Sequence, residues 1–448
     1  MDIRSKMKEG RGMEFREKAK ERLDRELESM IGDSGIGVPG LGAIVYKDGK
    51  EIYSRFLGHR TLAGDGSAER PMARDSRFRI ASVSKPFTVF TLLQLMEQGK
   101  LDLDADIGDY LGFRLRNPHF PDVPITSRML ASHTSSLRDG KVYCISPERS
   151  VAEFFSPEGD YWEDGAHFAP PGQAPGAYFS YCNLNYGLLG TIIEAVTGER
   201  FDLYQKAHIL RQLDTHADYV PGNFSREEFE KLGTIYQKKD ATGNWNENGP
   251  WHGKADDYGG IQPPRDTVFL QNPYAEEVRE ACRLDDYRPG RNATPFSPAG
   301  GLRISCEELS HALEMWMNDG NYRGEQVLSP DSVRLMASSQ WTYDPARRNG
   351  SDYGGSILSY GLGAYRMAGA SSARLCRDRE IDFVGHTGEA FGTISILCFR
   401  PGTKDGFLYV MNGTAMDVES DERSKGRFSS NTIWEERVAD AICRFAFF

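Results

Sequence analysis

Residues 87–98 (FTVFTLLQLMEQ) are apolar on nearly every side and follow directly on Ala81-Ser82-Val83-Ser84-Lys85. A helix of that composition buries its whole circumference, so it belongs at the centre of a domain. Gly99 reads as its C-terminal stop. Any fold for this chain must therefore wrap a core around the segment and take the polar residues of its first turn inside. Residues 184–196 predict a second helix of the same kind, stopped by Gly198.

The two ends of the chain read differently. LGAIVYKDGKEIYSRFLG places an Asp48-Gly49 turn between two apolar runs, a strong hairpin signal. Residues 393–399 and 407–411 flank a Pro-Gly-containing turn, and Ile433, Val438, Ile442 and Phe445 mark a closing helix. Between residues 13 and 31, Phe15, Ala19, Leu23 and Leu27 recur every fourth position among charges, predicting an amphipathic helix behind a loose basic tail at 1–12. The expected fold is α/β (α+β). An antiparallel sheet flanked by helices, from residues 13–81 and 297–448, would carry an inserted, mainly helical domain at 82–296. Within that insert, residues 220–295 are polar, turn-rich and without clear period; Trp245, Trp251, His252, Tyr258 and Tyr274 would cover a cleft, pin a surface loop or build a subunit interface.

Composition removes several function classes. A net charge of −11 argues against a general nucleic-acid binder, which needs a basic surface. No run approaches the roughly 20 apolar residues of a membrane span. The first residues hold basic side chains with no apolar stretch behind them, and the seven cysteines are scattered without C-x-x-C. Free thiols and a cytoplasmic location are expected. The nine histidines never form H-E-x-x-H or a close cluster, so neither a metal nor a cofactor is expected. A small ester, amide or peptide is the expected partner; the sequence leaves the oligomeric state open.

Three short motifs could carry chemistry. Ser82 and Lys85, three apart, share a helical face at a helix N-terminus, where N–H groups favour a developing anion. A buried lysine beside a hydroxyl loses proton affinity and can serve as a base. Tyr181 and Asn183 precede the second apolar helix: a tyrosine with a lowered pKa can act as a base, and an amide can orient a lysine. Gly385-His386-Thr387-Gly388 lies in a predicted strand, where glycine lets a substrate approach the backbone. Taken singly each has a plainer reading: S-x-x-K occurs by chance, Tyr181 packs, Asn183 caps a helix, and a lone strand histidine is structural.

Taken together and in this order, Ser-x-x-Lys, Tyr-x-Asn and His-Thr-Gly resemble the serine β-lactamases and penicillin-recognising enzymes. FRIASVSKPFT, EQGKLDLDADIGDYL, ITSRMLASHTSSL, YFSYCNLNYGLLGTIIEAVTG and SPAGGLRISCEEL carry the same resemblance. Tyr-x-Asn is similar to the branch holding class C β-lactamases, DD-carboxypeptidases, D-aminopeptidases and family VIII esterases. The resemblance implies a serine hydrolase with Ser82 as nucleophile and Lys85 as its activating partner. Tyr181 would be a phenolate-like base and leaving-group acid, and Asn183 would position Lys85 or the substrate. The backbone N–H groups of Ser82 and Glu389 would form the oxyanion hole, with His386 a further catalytic residue able to carry or orient a proton and Thr387 and Gly388 lining the substrate. His386 stands where most β-lactamases have lysine, which favours an ester, amide or D-peptide over a β-lactam. A β-lactamase, or a catalytically silent binding protein, is the alternative.

Overall fold

The structure, a computed structural model, describes residues 17–33, 35–64, 68–240, 242–270 and 280–447. The expected tail at 1–12, Phe15 and Tyr274 lie outside the described residues. Nine strands form one antiparallel sheet: β1 (Gly40–Lys47), β2 (Lys50–Thr61), β3 (Arg70–Pro71), β4 (Trp341–Thr342), β5 (Ser359–Tyr360), β6 (Tyr365–Met367), β7 (Phe383–Ala390), β8 (Thr393–Phe399) and β9 (Gly406–Met411). Their spatial order is β4-β5-β6-β7-β8-β9-β1-β2-β3. The two ends of the chain meet at its centre, where β1 pairs with β9 from Leu41↔Met411 to Tyr46↔Gly406. The Asp48-Gly49 turn closes the β1–β2 hairpin with positive φ at both residues, the backbone that such a tight turn requires.

The central strands are buried on both faces, and their side chains divide by period two. Ala43, Val45, Ile396, Cys398, Phe407 and Tyr409 face the helix of residues 17–28 and a C-terminal helix. Ile44, Leu397, Phe399, Leu408 and Val410 face the helical side of the molecule. Four helices matter below: α1 (Ser84–Glu97), α2 (Leu184–Thr197), α3 (Cys306–Met317) and α4 (Ile433–Ala446). Every α1 residue from Ser84 to Leu95 is buried. Phe90 meets Trp316 of α3 edge to face at 5.5 Å, and Trp316 in turn meets Phe399 of the sheet. Burying each large apolar side chain of α1 contributes roughly 1.5–3 kcal/mol before entropy is counted.

Residues 220–295 hold more regular structure than their composition predicts. Ile235–Gln237 pairs with His252–Ala255, and Thr267–Leu270 pairs with Glu280–Arg283. Gly413–Thr414 adds to the first pair in parallel, which ties this region to the sheet. Trp245 and Trp251 donate to Asp417 and Asp33. Among the described residues no helix is long and apolar enough to cross a membrane.

Candidate active site

Ala81–Val83 form a single 3-10 turn that runs straight into α1. Ala81 has φ +47°, a conformation that costs an L-residue of order 1–3 kcal/mol and recurs at functional turns. Ser82 is half-exposed at the mouth of this turn, flanked by buried neighbours. One turn below it, Lys85 is wholly buried, and its Nζ contacts Ser82 Oγ at 2.9 Å, Asn183 Oδ1 at 2.9 Å and the Ala299 carbonyl at 3.1 Å. Nζ also sits 4.6 Å from the Tyr181 ring centroid. Burial lowers the Lys85 pKa to about 7, with Asp139 pulling weakly the other way.

Asn183 occupies the N-cap position of α2 but makes no side-chain capping bond. Its amide is turned inward: Oδ1 accepts from Lys85, and Nδ2 donates to Asp139 Oδ2 at 3.0 Å. Asp139 Oδ1 accepts the Leu184 N–H at 2.8 Å and so does the capping in its place. Burial raises the Asp139 carboxyl against these bonds. No sequence signal selects Asp139. It lies six residues past His133, and only the tertiary structure brings it to α2.

Tyr181 is held in an aromatic frame. The His133 ring lies 4.2 Å from it, and the Tyr353 hydroxyl accepts the Tyr181 N–H at 2.9 Å. Among the described residues the buried phenol hydroxyl makes no well-formed hydrogen bond, although Ser82 and Tyr365 lie close to it. Its pKa lies well above the usual tyrosine value, through burial first and the neighbouring Tyr365 second, while the nearby Ser82 hydroxyl opposes the shift. The direction is opposite to that of a phenolate-like tyrosine, because desolvation dominates the shift. Cys182 N–H donates to His133 Nδ1 at 3.1 Å, which fixes the hydrogen of that neutral imidazole on Nε2. Ser136 adopts φ +64°, the conformation that glycine takes most easily, and is anchored by Asn117 Nδ2 at 2.8 Å.

Strand β7 closes the other side. His386 and Gly388 face the helices, and Thr387 and Glu389 face the opposite way. His386 is fully buried, and both ring nitrogens are engaged: Nδ1–H donates to the Thr387 carbonyl, and Nε2 accepts from Tyr360 OH at 3.0 Å. Burial and Lys85 hold its pKa well below the usual histidine value. It therefore presents no cation and no free nitrogen to a substrate. A Cβ on Gly388 would stand 2.4 Å from Ser395 Oγ, 2.5 Å from the Ile80 carbonyl and 3.1 Å from Ser82 N. Only glycine lets β7 approach the Ser82 amide this closely. Thr387 is half-buried, with Tyr365 close enough to feel its hydroxyl. Glu389 has an exposed side chain.

A lysine beneath the serine, in place of a histidine held by an aspartate, separates this site from the triad hydrolases. With the sheet and helices around it, the site places the protein among the penicillin-recognising serine hydrolases. The family model described as "Beta-lactamase" matches residues 16–429, and the chain belongs to that family. An N-acetylmuramyl-L-alanine amidase of Bacillus subtilis (strain 168) is 26% identical over 349 residues, 73% of this chain and 71% of the relative. The human serine beta-lactamase-like protein LACTB, mitochondrial, is 37% identical over 121 residues, only 25% of this chain and 20% of the relative. Among solved structures, EstCE1, a hydrolase with promiscuous acyltransferase activity, has TM-score 0.64 at 18% identity, covering 95% of this chain and 99% of its own. The D-amino acid amidase from Ochrobactrum anthropi SV3 complexed with D-phenylalanine has TM-score 0.61 at 18% identity, with coverage of 95% and 99%. These two likenesses are of fold.

Proposed function

We propose that the protein cleaves esters or amides through an acyl-enzyme on Ser82, with Lys85 as the base. The observation that carries this is the set of three partners around Lys85 Nζ. A neutral amine has two N–H donors and one lone pair. Asn183 Oδ1 and the Ala299 carbonyl can only accept, so they take both donors and leave the lone pair to the Ser82 hydroxyl. A pKa of about 7 makes that neutral form abundant at ordinary pH.

Ser82 Oγ passes its proton to Lys85 Nζ and bonds to the substrate carbonyl carbon. The resulting oxyanion is received by the Ser82 and Glu389 backbone N–H groups, a reading supported by the close approach of Gly388 to Ser82 N. One such donor is worth about 2.7–4 kcal/mol in the best-studied case. Tyr181, protonated and close to the Ser82 hydroxyl, gives its proton to the departing amine or alkoxide and regains one from the Lys85 ammonium. Water then attacks the acyl carbon by the reverse sequence, releasing the acid.

A carboxylesterase or D-peptidase-like reaction is favoured over β-lactam hydrolysis, because His386 offers no cation to a substrate carboxylate. A fluorophosphonate probe read by intact mass tests the nucleophile. One adduct is expected on the wild type and none on Ser82→Ala. Side by side, 4-nitrophenyl butyrate and D-amino-acid amides should turn over faster than nitrocefin. Turnover that persists unchanged in both Ser82→Ala and Lys85→Ala would refute the mechanism.

A further inference from the structure

Residues 178–183 carry Tyr181 and Asn183 but belong to no helix or named strand, so their course is set by what holds their backbone. His133 takes two of the amides: Ser180 N–H donates to its carbonyl at 2.9 Å, and Cys182 N–H to its Nδ1 at 3.1 Å. A loop from far along the chain takes two more. Phe179 N–H donates to the Asn349 carbonyl at 3.0 Å, and Tyr181 N–H to the Tyr353 hydroxyl at 2.9 Å. From 179 to 182, Tyr181 is thus the residue whose amide rests on a side-chain hydroxyl. The same hydroxyl lies 3.5 Å from the Tyr181 carbonyl, so it faces both polar groups of that residue's backbone.

The loop is braced where it meets this segment. Ser351 N–H donates to the Phe179 carbonyl at 3.0 Å, and Trp341 Nε1 donates to the Asn349 carbonyl at 3.0 Å while its ring stacks on Phe179 at 4.2 Å. The Asn349 amide ties the loop to itself: Oδ1 accepts the Asp344 N–H at 2.8 Å, and Nδ2 donates to the Thr342 carbonyl at 3.0 Å. Tyr353, Gly354 and Gly355 then follow with φ of +49°, +68° and +89°. A tyrosine rarely adopts that left-handed backbone, and such strain persists where the surroundings over-determine it. Burial does not explain the placement, because Tyr353 is 43% exposed. The hydroxyl of an exposed loop tyrosine ordinarily meets water; this one meets the backbone of Tyr181. The Tyr181 phenol has no well-formed hydrogen bond among the described residues, so its aim depends on ring packing and on how its backbone is held.

We infer that Tyr353 is a positioning residue: its hydroxyl clamps the Tyr181 backbone and so holds the phenol where the leaving group departs. The inference rests on the Ser82 acyl-enzyme reading with Tyr181 as the acid. Loss of the clamp should matter most where a proton must be delivered. 4-Nitrophenolate departs without one, whereas phenolate, a much stronger base, needs it. In Tyr353→Phe, which keeps the ring, kcat/KM should fall about 10-fold for phenyl butyrate and about 2-fold for 4-nitrophenyl butyrate, part of the roughly 10²–10⁴ that a general acid supplies. Gly350→Ala reaches the clamp by a second route. A Cβ there would stand 2.6 Å from the Trp341 ring and 2.8 Å from Phe179 Cβ, lifting the loop from Phe179, and the same skew between the esters is expected. On a Tyr181→Phe background, Tyr353→Phe should cost nothing further on phenyl butyrate, whereas independent roles would multiply. Equal losses on the two esters with full additivity, or no loss on either, would overturn the positioning role while the fluorophosphonate adduct on Ser82 still forms. Absence of that adduct in the wild type would instead remove the hydrolase reading.

Discussion

Lys85 holds its Nζ 2.9 Å from Ser82 Oγ while having no exposed surface of its own. One turn of helix sets the spacing, and the apolar packing around α1 sets the chemistry, because a lysine kept from water binds its proton weakly.

Catalysis should therefore switch on with rising pH. Lys85 works as a base only when deprotonated, so kcat/KM should climb through an ascending limb near pH 7, where burial has placed its pKa. Lys85→Arg should remove the limb with nearly all the activity, since guanidinium stays charged. A pH–rate profile on 4-nitrophenyl butyrate is the measurement; a rate flat from pH 5.5 to 8.5 would contradict the assignment.

Asp139 should tune that limb without touching substrate. Its negative charge favours the charged form of Lys85, so Asp139→Asn should move the limb to lower pH. The same change weakens the hold on the Asn183 amide and the cap on Leu184 N, at a cost of about 1 kcal/mol of stability. The profile and a denaturant melt together check both, and a purely structural role would move only the melt.

Gly388→Ala should damage the site more than the fold. The new methyl would meet the Ile80 carbonyl and Ser395 Oγ, so β7 must move away from Ser82. About 1–3 kcal/mol of stability should be lost. A fall in kcat of about 10²–10³ is expected if the Glu389 donor leaves its place. Urea melts and steady-state kinetics on the same preparation separate the two effects.

His386→Lys should not create a β-lactamase. The position is buried beside Lys85, so a second amine there is forced to stay neutral or to repel the first. A lower Tm and unchanged or slower nitrocefin turnover are expected. Faster nitrocefin hydrolysis would mean that the side chain reaches the cleft.

Much of this was legible in the residues. The all-apolar stretch behind Ser82 specified a buried helix, and Asp48-Gly49 and the runs at 393–411 specified hairpins, because burial and turn chemistry are written locally. Ser82, Lys85, Tyr181 and Asn183 were each visible as residues, and the structure gathers the other three around the Lys85 amine. Asp139 and the tyrosines at 353, 360 and 365 were not visible. They reach the site from separate loops and strands and share no period with it.

The sequence by itself determined which groups could react and which segments must be buried, since both follow from side-chain chemistry and spacing along the chain. Only the tertiary structure decided their protonation and direction. It keeps Lys85 from water and the Tyr181 phenol protonated, and it closes both His386 nitrogens inside the sheet. Desolvation and hydrogen-bond partners come from residues far apart in the chain, so neither could be read before the two ends met in one sheet.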